Sequence, residues 1–228
     1  IAVDGSGISR VYQVKGAGPV PVPQVEPLRE EMRLPFLIPF RGGRGILFLC
    51  DSSSRDVAIQ SIQALCFRLL AAVPPGKLRF TFIDPVGLGQ NVATLINLKD
   101  YDASEEDSLV TFRVWTEADH IRQQLIALKD HITTVIQERL RDQYPDIETY
   151  NREAGEVAVP YRILVVLDFP ANFNDEAAQH LLSIAQTGPR VGVYPIVMMD
   201  SGRELPYGFK AEALVRSLVT VGWNKALA

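Results

Sequence analysis

The stretch Arg162-Ile163-Leu164-Val165-Val166-Leu167-Asp168 constrains the fold more than any other. Its aliphatic run has no polar alternation, so a strand here buries both faces, as strands of a parallel sheet do. Parallel neighbours cannot be joined by hairpins; each needs a crossover of a dozen or more residues, usually a helix. The chain supplies such crossovers. Apolar residues at Ile59, Ile62, Leu65, Cys66, Leu69 and Leu70 predict a helix over 56–72, with Ser54 and Asp56 as N-cap candidates and Pro74-Pro75-Gly76 as its stop. Ile121, Leu125, Leu128, Ile132, Val135 and Leu140 form the seam of a second helix over 117–141. Shorter helices are expected over 147–154 and 175–186.

Strands are predicted over 46–50, 78–83 and 191–199, with a last one over 214–223 near the sheet edge. This alternation is α/β: a three-layer sandwich with a mainly parallel central sheet. Residues 1–35 read as an extended approach segment. Gly16-Ala17-Gly18-Pro19-Val20-Pro21-Val22-Pro23 excludes both helix and central strand, because proline fixes φ and lacks the amide donor. One helical turn is expected near Leu28–Met32, and an edge strand over Phe36–Phe40 opens the main domain, 36–228. The pattern over 91–116 assigns no element.

Composition narrows the function classes. A net charge of −4 gives no electrostatic footprint for nucleic acid. Cys50 and Cys66 fall inside apolar elements and read as buried thiols, not a disulfide. No apolar run approaches the roughly 20 residues of a membrane span, and the chain reads as a cytoplasmic module of a longer protein. His120, His131 and His180 lie on helices without a metal-ligand pattern. Ser52, Ser53 and Ser54 lack the Gly-x-Ser-x-Gly setting of a hydrolase nucleophile.

Three strands end in an aspartate: Asp51, Asp84 and Asp168. Ligands of open parallel sheets bind at the carboxyl ends of the strands, so these acids share one rim, where carboxylates hold Mg²⁺ or begin turns. The unit from Gly45 to Leu70 is strand, polar turn and helix, the arrangement in which a phosphate sits on a helix N-terminus.

The order of these features resembles the motor domain of FtsK/SpoIIIE-type DNA translocases, within the HerA–FtsK group of P-loop ATPases. Five blocks over about 35–205 carry the resemblance: the strand and helix ending Arg68-Leu69-Leu70; Phe82-Ile83-Asp84-Pro85; the long helix followed by Ile147-Glu148-Thr149-Tyr150-Asn151; Tyr161 to Phe169; and Gly188-Pro189-Arg190-Val191-Gly192-Val193. The resemblance implies a P-loop NTPase-like, RecA/FtsK-type fold. It also implies ATP and Mg²⁺ at an intact site, and hexameric rings or tandem ATPase domains as partners, with DNA reached through the parent protein.

The residues depart from the pattern where the chemistry sits. Aligned on Leu69-Leu70, the loop Gly-x-x-x-x-Gly-Lys-Ser/Thr has Ser52 at its first glycine, Val57 at its second, Ala58 at the lysine and Ile59 at the hydroxyl. Phe169 stands where a glutamate usually follows the strand acid, Met199-Asp200 where the family has Thr-Gln, and Arg190 lies one position off the family's arginine. The degenerate loop comprises Ser52, Ser53, Ser54 and Arg55, with Asp84 and Asp200 on the same rim and Asp168 as the remnant Mg²⁺ acid. The serines are expected to cap the helix and Arg55 to face solvent. Three readings follow: a degenerate module without a cofactor, serving assembly or regulation beside an active motor; an active DNA or protein translocase in which Arg55 replaces the lysine; and an unrelated α/β binding module.

Overall fold

A computed structural model describes residues 38–98 and 113–223. The chain divides into two units, Ile1–Ile38 and Pro39–Ala228, and the architecture below is that of the second. The expectations for residues 1–37, including the Pro/Gly-rich stretch and the turn near Leu28–Met32, lie outside the described residues. The edge strand proposed over 36–40 is not formed in its described part, 38–40. Phe40 instead packs its ring on Tyr161 and Tyr194, with centroids 5.3 and 5.0 Å away.

Five strands form one sheet: β1 (Ile46–Cys50), β2 (Leu78–Ile83), β3 (Tyr161–Phe169), β4 (Val193–Asp200) and β5 (Val219–Gly222). Their order is β2-β3-β4-β1-β5, and every pairing is parallel. The aliphatic run of β3 lies second from the edge, and Ile163 to Leu167 are each 1% exposed or less. At roughly 1.5–3 kcal/mol per fully buried aliphatic side chain, this strand is a principal source of the core's stability.

The helices are α1 (Arg55–Ala72), α2 (Ala93–Ile96), α3 (Ala118–Thr134), α4 (Ile147–Ala154), α5 (Asp175–Thr187) and α6 (Ala211–Ser217). The path from β1 to β2 runs across the sheet in one direction, and every later crossover runs in the other. Right-handed crossovers therefore place α1 on one face and α3, α5 and α6 on the other. In agreement, α5 packs against both α3 and α6, whereas α1 packs against β1 and β4.

Two elements differ from expectation for local reasons. The long helix leaves α geometry after Thr134 and closes with a π-type turn over Val135–Leu140, with the Arg141 amide donating to the Ile136 carbonyl at 2.8 Å. The five-residue step from Val135 to Leu140 in the apolar seam is that turn's signature, since it keeps both side chains buried. The stretch 214–223 is not one strand. Ala211-Glu212-Ala213-Leu214 are good helix formers, and Leu214 and Leu218, four residues apart, are the buried pair. Only Val219–Gly222 joins the sheet. Similarly, Gly188–Val191 forms a 3-10 turn ending at Gly192, whose φ of +80° favours glycine, so β4 begins at Val193.

Candidate functional site

The carboxyl ends of β1, β2, β3 and β4 meet at one rim, and each delivers an aspartate there: Asp51, Asp84, Asp168 and Asp200. Their surroundings differ. Asp84 is fully buried. Its Oδ1 accepts from the Gly87 amide (2.9 Å) and Asn91 Nδ2 (3.1 Å), and its Oδ2 from the amides of Gly89 (3.1 Å) and Asn91 (3.3 Å). Gly87-Leu88-Gly89 is thus a turn wrapped around a carboxylate of the same chain, and a side chain at Gly87 would collide with Asp84 and Asn91. Asp200 likewise serves its own turn, accepting from the Gly202 amide (2.9 Å) and Arg203 Nε (3.1 Å).

Asp51 organises the loop before α1. Its Oδ1 accepts from the amides of Ser53 (3.0 Å) and Ser54 (3.1 Å) and from both hydroxyls (2.6 and 2.9 Å). Ser54 occupies the N-cap position, yet its hydroxyl makes no cap bond to the helix; it turns back to Asp51. The expectation that the serines cap α1 is corrected here: both hydroxyls donate to the Asp51 carboxylate, and the Ser54 oxygen accepts from the Asp51 amide instead of from a helix amide. Amides of the kind that would receive a phosphate at a helix N-terminus are bonded to an anion of the chain itself.

Asp168 is 1% exposed. The pairing of β3 with β4 shifts between Val166↔Val197 and Phe169↔Met199, which adds one residue to β3. This bulge contains Asp168 at φ +53°, a left-handed conformation that aspartate tolerates better than most residues. Its two oxygens accept from Arg55 Nε and Nη2, both at 2.7 Å, in the bidentate geometry of a strong charge-assisted pair. Arg55 was expected to face solvent; its side chain is only 28% exposed and reaches across the strand that separates β1 from β3. Two strand spacings amount to roughly 10 Å, a gap that a long guanidinium side chain leaving the first turn of α1 spans. The hydrogen-bonded carboxylate holds the guanidinium pKa above its ordinary value.

Ala58 and Ile59 are buried under α1 at 0% and 6% exposure. Phe169 packs its ring against Phe173 and Phe209, with centroids at 5.0 and 5.5 Å, so aromatic core occupies the position after the strand acid. Arg190 donates to the Pro145 carbonyl at 2.8 Å. Cys50 donates weakly to the Met199 carbonyl, and burial, with Asp200 and Asp168 nearby, pushes its pKa up to about 11. Cys66 is raised to about 12 by burial, and both thiols are free. Among the described residues no group of His, Cys, Asp and Glu is arranged to hold a metal ion. His131 accepts from Arg162 Nε at 3.1 Å, and burial with Arg162 and Arg79 lowers its pKa to about 4.

The sequence puts Asp51, Asp84 and Asp168 at the carboxyl ends of three strands; the structure has them at the ends of β1, β2 and β3, with Asp200 at the end of β4. Sequence reasoning missed the Arg55–Asp168 contact, which joins residues 113 positions apart. It also missed Asp51 as the hub of the loop, although an aspartate followed by serines is the sequence signature of such a turn.

No protein-family model matches the chain, and no curated protein matches it. Solved structures do. The cytoplasmic domain of EssC superposes with a TM-score of 0.59 at 14% identity, covering 80% of this chain and 34% of that one. EssC (ATPases 2 and 3) from Geobacillus thermodenitrificans gives 0.59 and 14%, covering 78% and 32%. The cytoplasmic domain of the Thermomonospora curvata Type VII secretion ATPase EccC gives 0.58 and 17%, covering 78% and 20%. The chain has the P-loop NTPase-like fold of these ATPase domains, and spans between 20% and 34% of the chains it matches.

Proposed function

We propose that this chain is a degenerate FtsK/SpoIIIE-like module: an ATPase fold without turnover, serving assembly or regulation beside an active motor domain. The bidentate Arg55–Asp168 pair carries this reading. A Mg²⁺-holding acid needs its oxygens for the metal and its waters, and here both are bonded to a guanidinium. ATP and Mg²⁺ do not fit the residues present. Asp51 occupies the loop amides, Asp56 adds a second negative charge in the first turn of α1, and buried Ala58 and Ile59 replace the lysine and the hydroxyl. The partners are other ATPase-fold domains, in tandem in a longer chain or as separate copies in a ring; the similar EssC chain contains more than one ATPase. The site of action is the cytoplasm, as for the cytoplasmic domains the chain resembles. No helix among the described residues is long and apolar enough to cross a membrane.

The test is calorimetry of the full chain with ATP and Mg²⁺, alongside a phosphate-release assay. Neither binding at micromolar nucleotide nor hydrolysis is expected. Turnover abolished by Asp168→Asn would falsify the proposal. Micromolar binding lost in Arg55→Ala would instead establish Arg55 as a working substitute for the lysine.

A further inference from the structure

Between α3 and α5 a cation meets a ring nitrogen. Lys129 Nζ on α3 lies 3.1 Å from His180 Nδ1 on α5. An ammonium has donors only, so the imidazole nitrogen it meets must offer a lone pair. His180 is therefore neutral in this arrangement, with its proton on Nε2. That nitrogen is buried and makes no hydrogen bond of good geometry. Glu176, one turn earlier on α5, waits beside it, with Oε1 at 3.4 Å. Glu176 in turn pairs with Arg122 of α3, Nη1 to Oε2 at 3.5 Å. The four side chains form a ladder, Arg122–Glu176–His180–Lys129. In it α3 supplies the two cations, and α5 supplies the acid and the imidazole.

The other charged groups of the packed elements are placed elsewhere. By strand order α5 lies between α3 and α6, so α6 carries Glu212 and Arg216 along the opposite flank of α5. Asp119 and Asp130 of α3 and Asp175 of α5 are exposed. Arg190, in the turn after α5, donates to the Pro145 carbonyl, and Arg162 of β3 donates to His131. The His180 ring is thus governed by Lys129 on one side and Glu176 on the other.

Adding a proton breaks the arrangement. Imidazole changes charge between pH 5 and 8. The second ring proton must go to Nδ1, which then turns an N–H toward an ammonium 3.1 Å away. Two cationic donors face each other with no acceptor between them, and the longer, more mobile lysine leaves. The imidazolium keeps an anion on its other side, and that anion belongs to its own helix. One proton converts a tie between two helices into a pair within one.

We propose that His180 is a proton-controlled latch between α3 and α5. Neutral, it holds Lys129 and fastens the two helices together. Protonated, it releases Lys129 to solvent and pairs with Glu176 inside α5. The latch lies away from the Arg55–Asp168 pair, and the inference stands whether or not the rim binds nucleotide.

Nitrogen-15 NMR of the His180 ring in the full chain reads the tautomer directly. The Nε2–H form is expected at pH 8; an Nδ1–H ring would overturn the proposal, because it cannot accept from Lys129. Amide hydrogen exchange along α3, expressed as protection factors at pH 8 and pH 5.5, reads the tie itself. Loss of one hydrogen bond should lower protection around Lys129 roughly three- to tenfold at the lower pH. Two variants separate the latch from a general loosening in acid. Lys129→Met has no tie to lose, so its protection should be low at both pH values. His180→Gln keeps a carbonyl oxygen for Lys129 but does not titrate, so its protection should stay high at both. Equal protection of the parent at the two pH values, or a pH dependence that survives in either variant, would overturn the proposal.

Discussion

Asp84 and Asp168 end neighbouring strands, are equally buried, and are satisfied by opposite means. Asp84 is held by neutral donors from the seven residues that follow it, so its negative charge is spread over amides of its own loop. Asp168 is held by one guanidinium from a distant helix, so its charge is cancelled by a full opposite charge. The first arrangement forms wherever the local sequence permits a turn. The second exists only once β1, β4 and β3 are docked in order. A strand-end acid is therefore a turn former in one place and the partner of a cation in the next, and its identity alone does not say which.

The comparison can be broken by removing each acid's partners. The largest effect is expected from Arg55→Ala, which leaves Asp168 buried and unpaired and should cost about 3 kcal/mol in urea unfolding. The double variant Arg55→Ala/Asp168→Leu should recover most of that loss, because the uncompensated charge is gone; a double variant no more stable than Arg55→Ala would show that the pair's charge is not what matters. Asp84→Ala is expected to cost about 2 kcal/mol, since it strands several loop donors that water partly reaches, and no single second-site change should rescue it.

The smallest effect is a pH dependence away from both acids. The folded His131 ring takes its proton only near pH 4, against 6.5 for the free group, because burial and the neighbouring Arg162 and Arg79 disfavour the cation. Between those values the unfolded chain binds the additional proton. The contribution is constant above pH 6.5 and is lost as pH falls toward 4. After discounting for the ring's partial exposure, the loss should be about 1–2 kcal/mol across that window. His131→Gln should flatten the urea midpoint over the same range; an unchanged slope would locate the titration elsewhere.

Much of the architecture was legible in residue periodicity. The unbroken aliphatic run of β3 announced a parallel sheet, and the three- and four-residue steps of α1, α3 and α5 announced crossovers of the right length. What misled was ambiguity between periods: Leu214, Val215 and Leu218 fit a strand by composition, and only their burial pattern reveals a helical turn. The π-type turn at Val135–Leu140 was written in a five-residue step whose meaning depends on the whole helix having one buried side.

The sequence alone determined that positions 58 and 59 of the helix after β1 carry neither an amine nor a hydroxyl, because the identities of Ala58 and Ile59 need no coordinates. It also determined that acids gather at the carboxyl ends of the strands. Only the tertiary structure decided where those acids spend their oxygens. Asp51 could close its loop from local residues, but the pairing of Arg55 with Asp168 depends on β4 intervening between their strands and on a bulge that turns the carboxylate toward α1. Periodicity encodes which side of an element is buried; it does not encode which charged group lies two strands away.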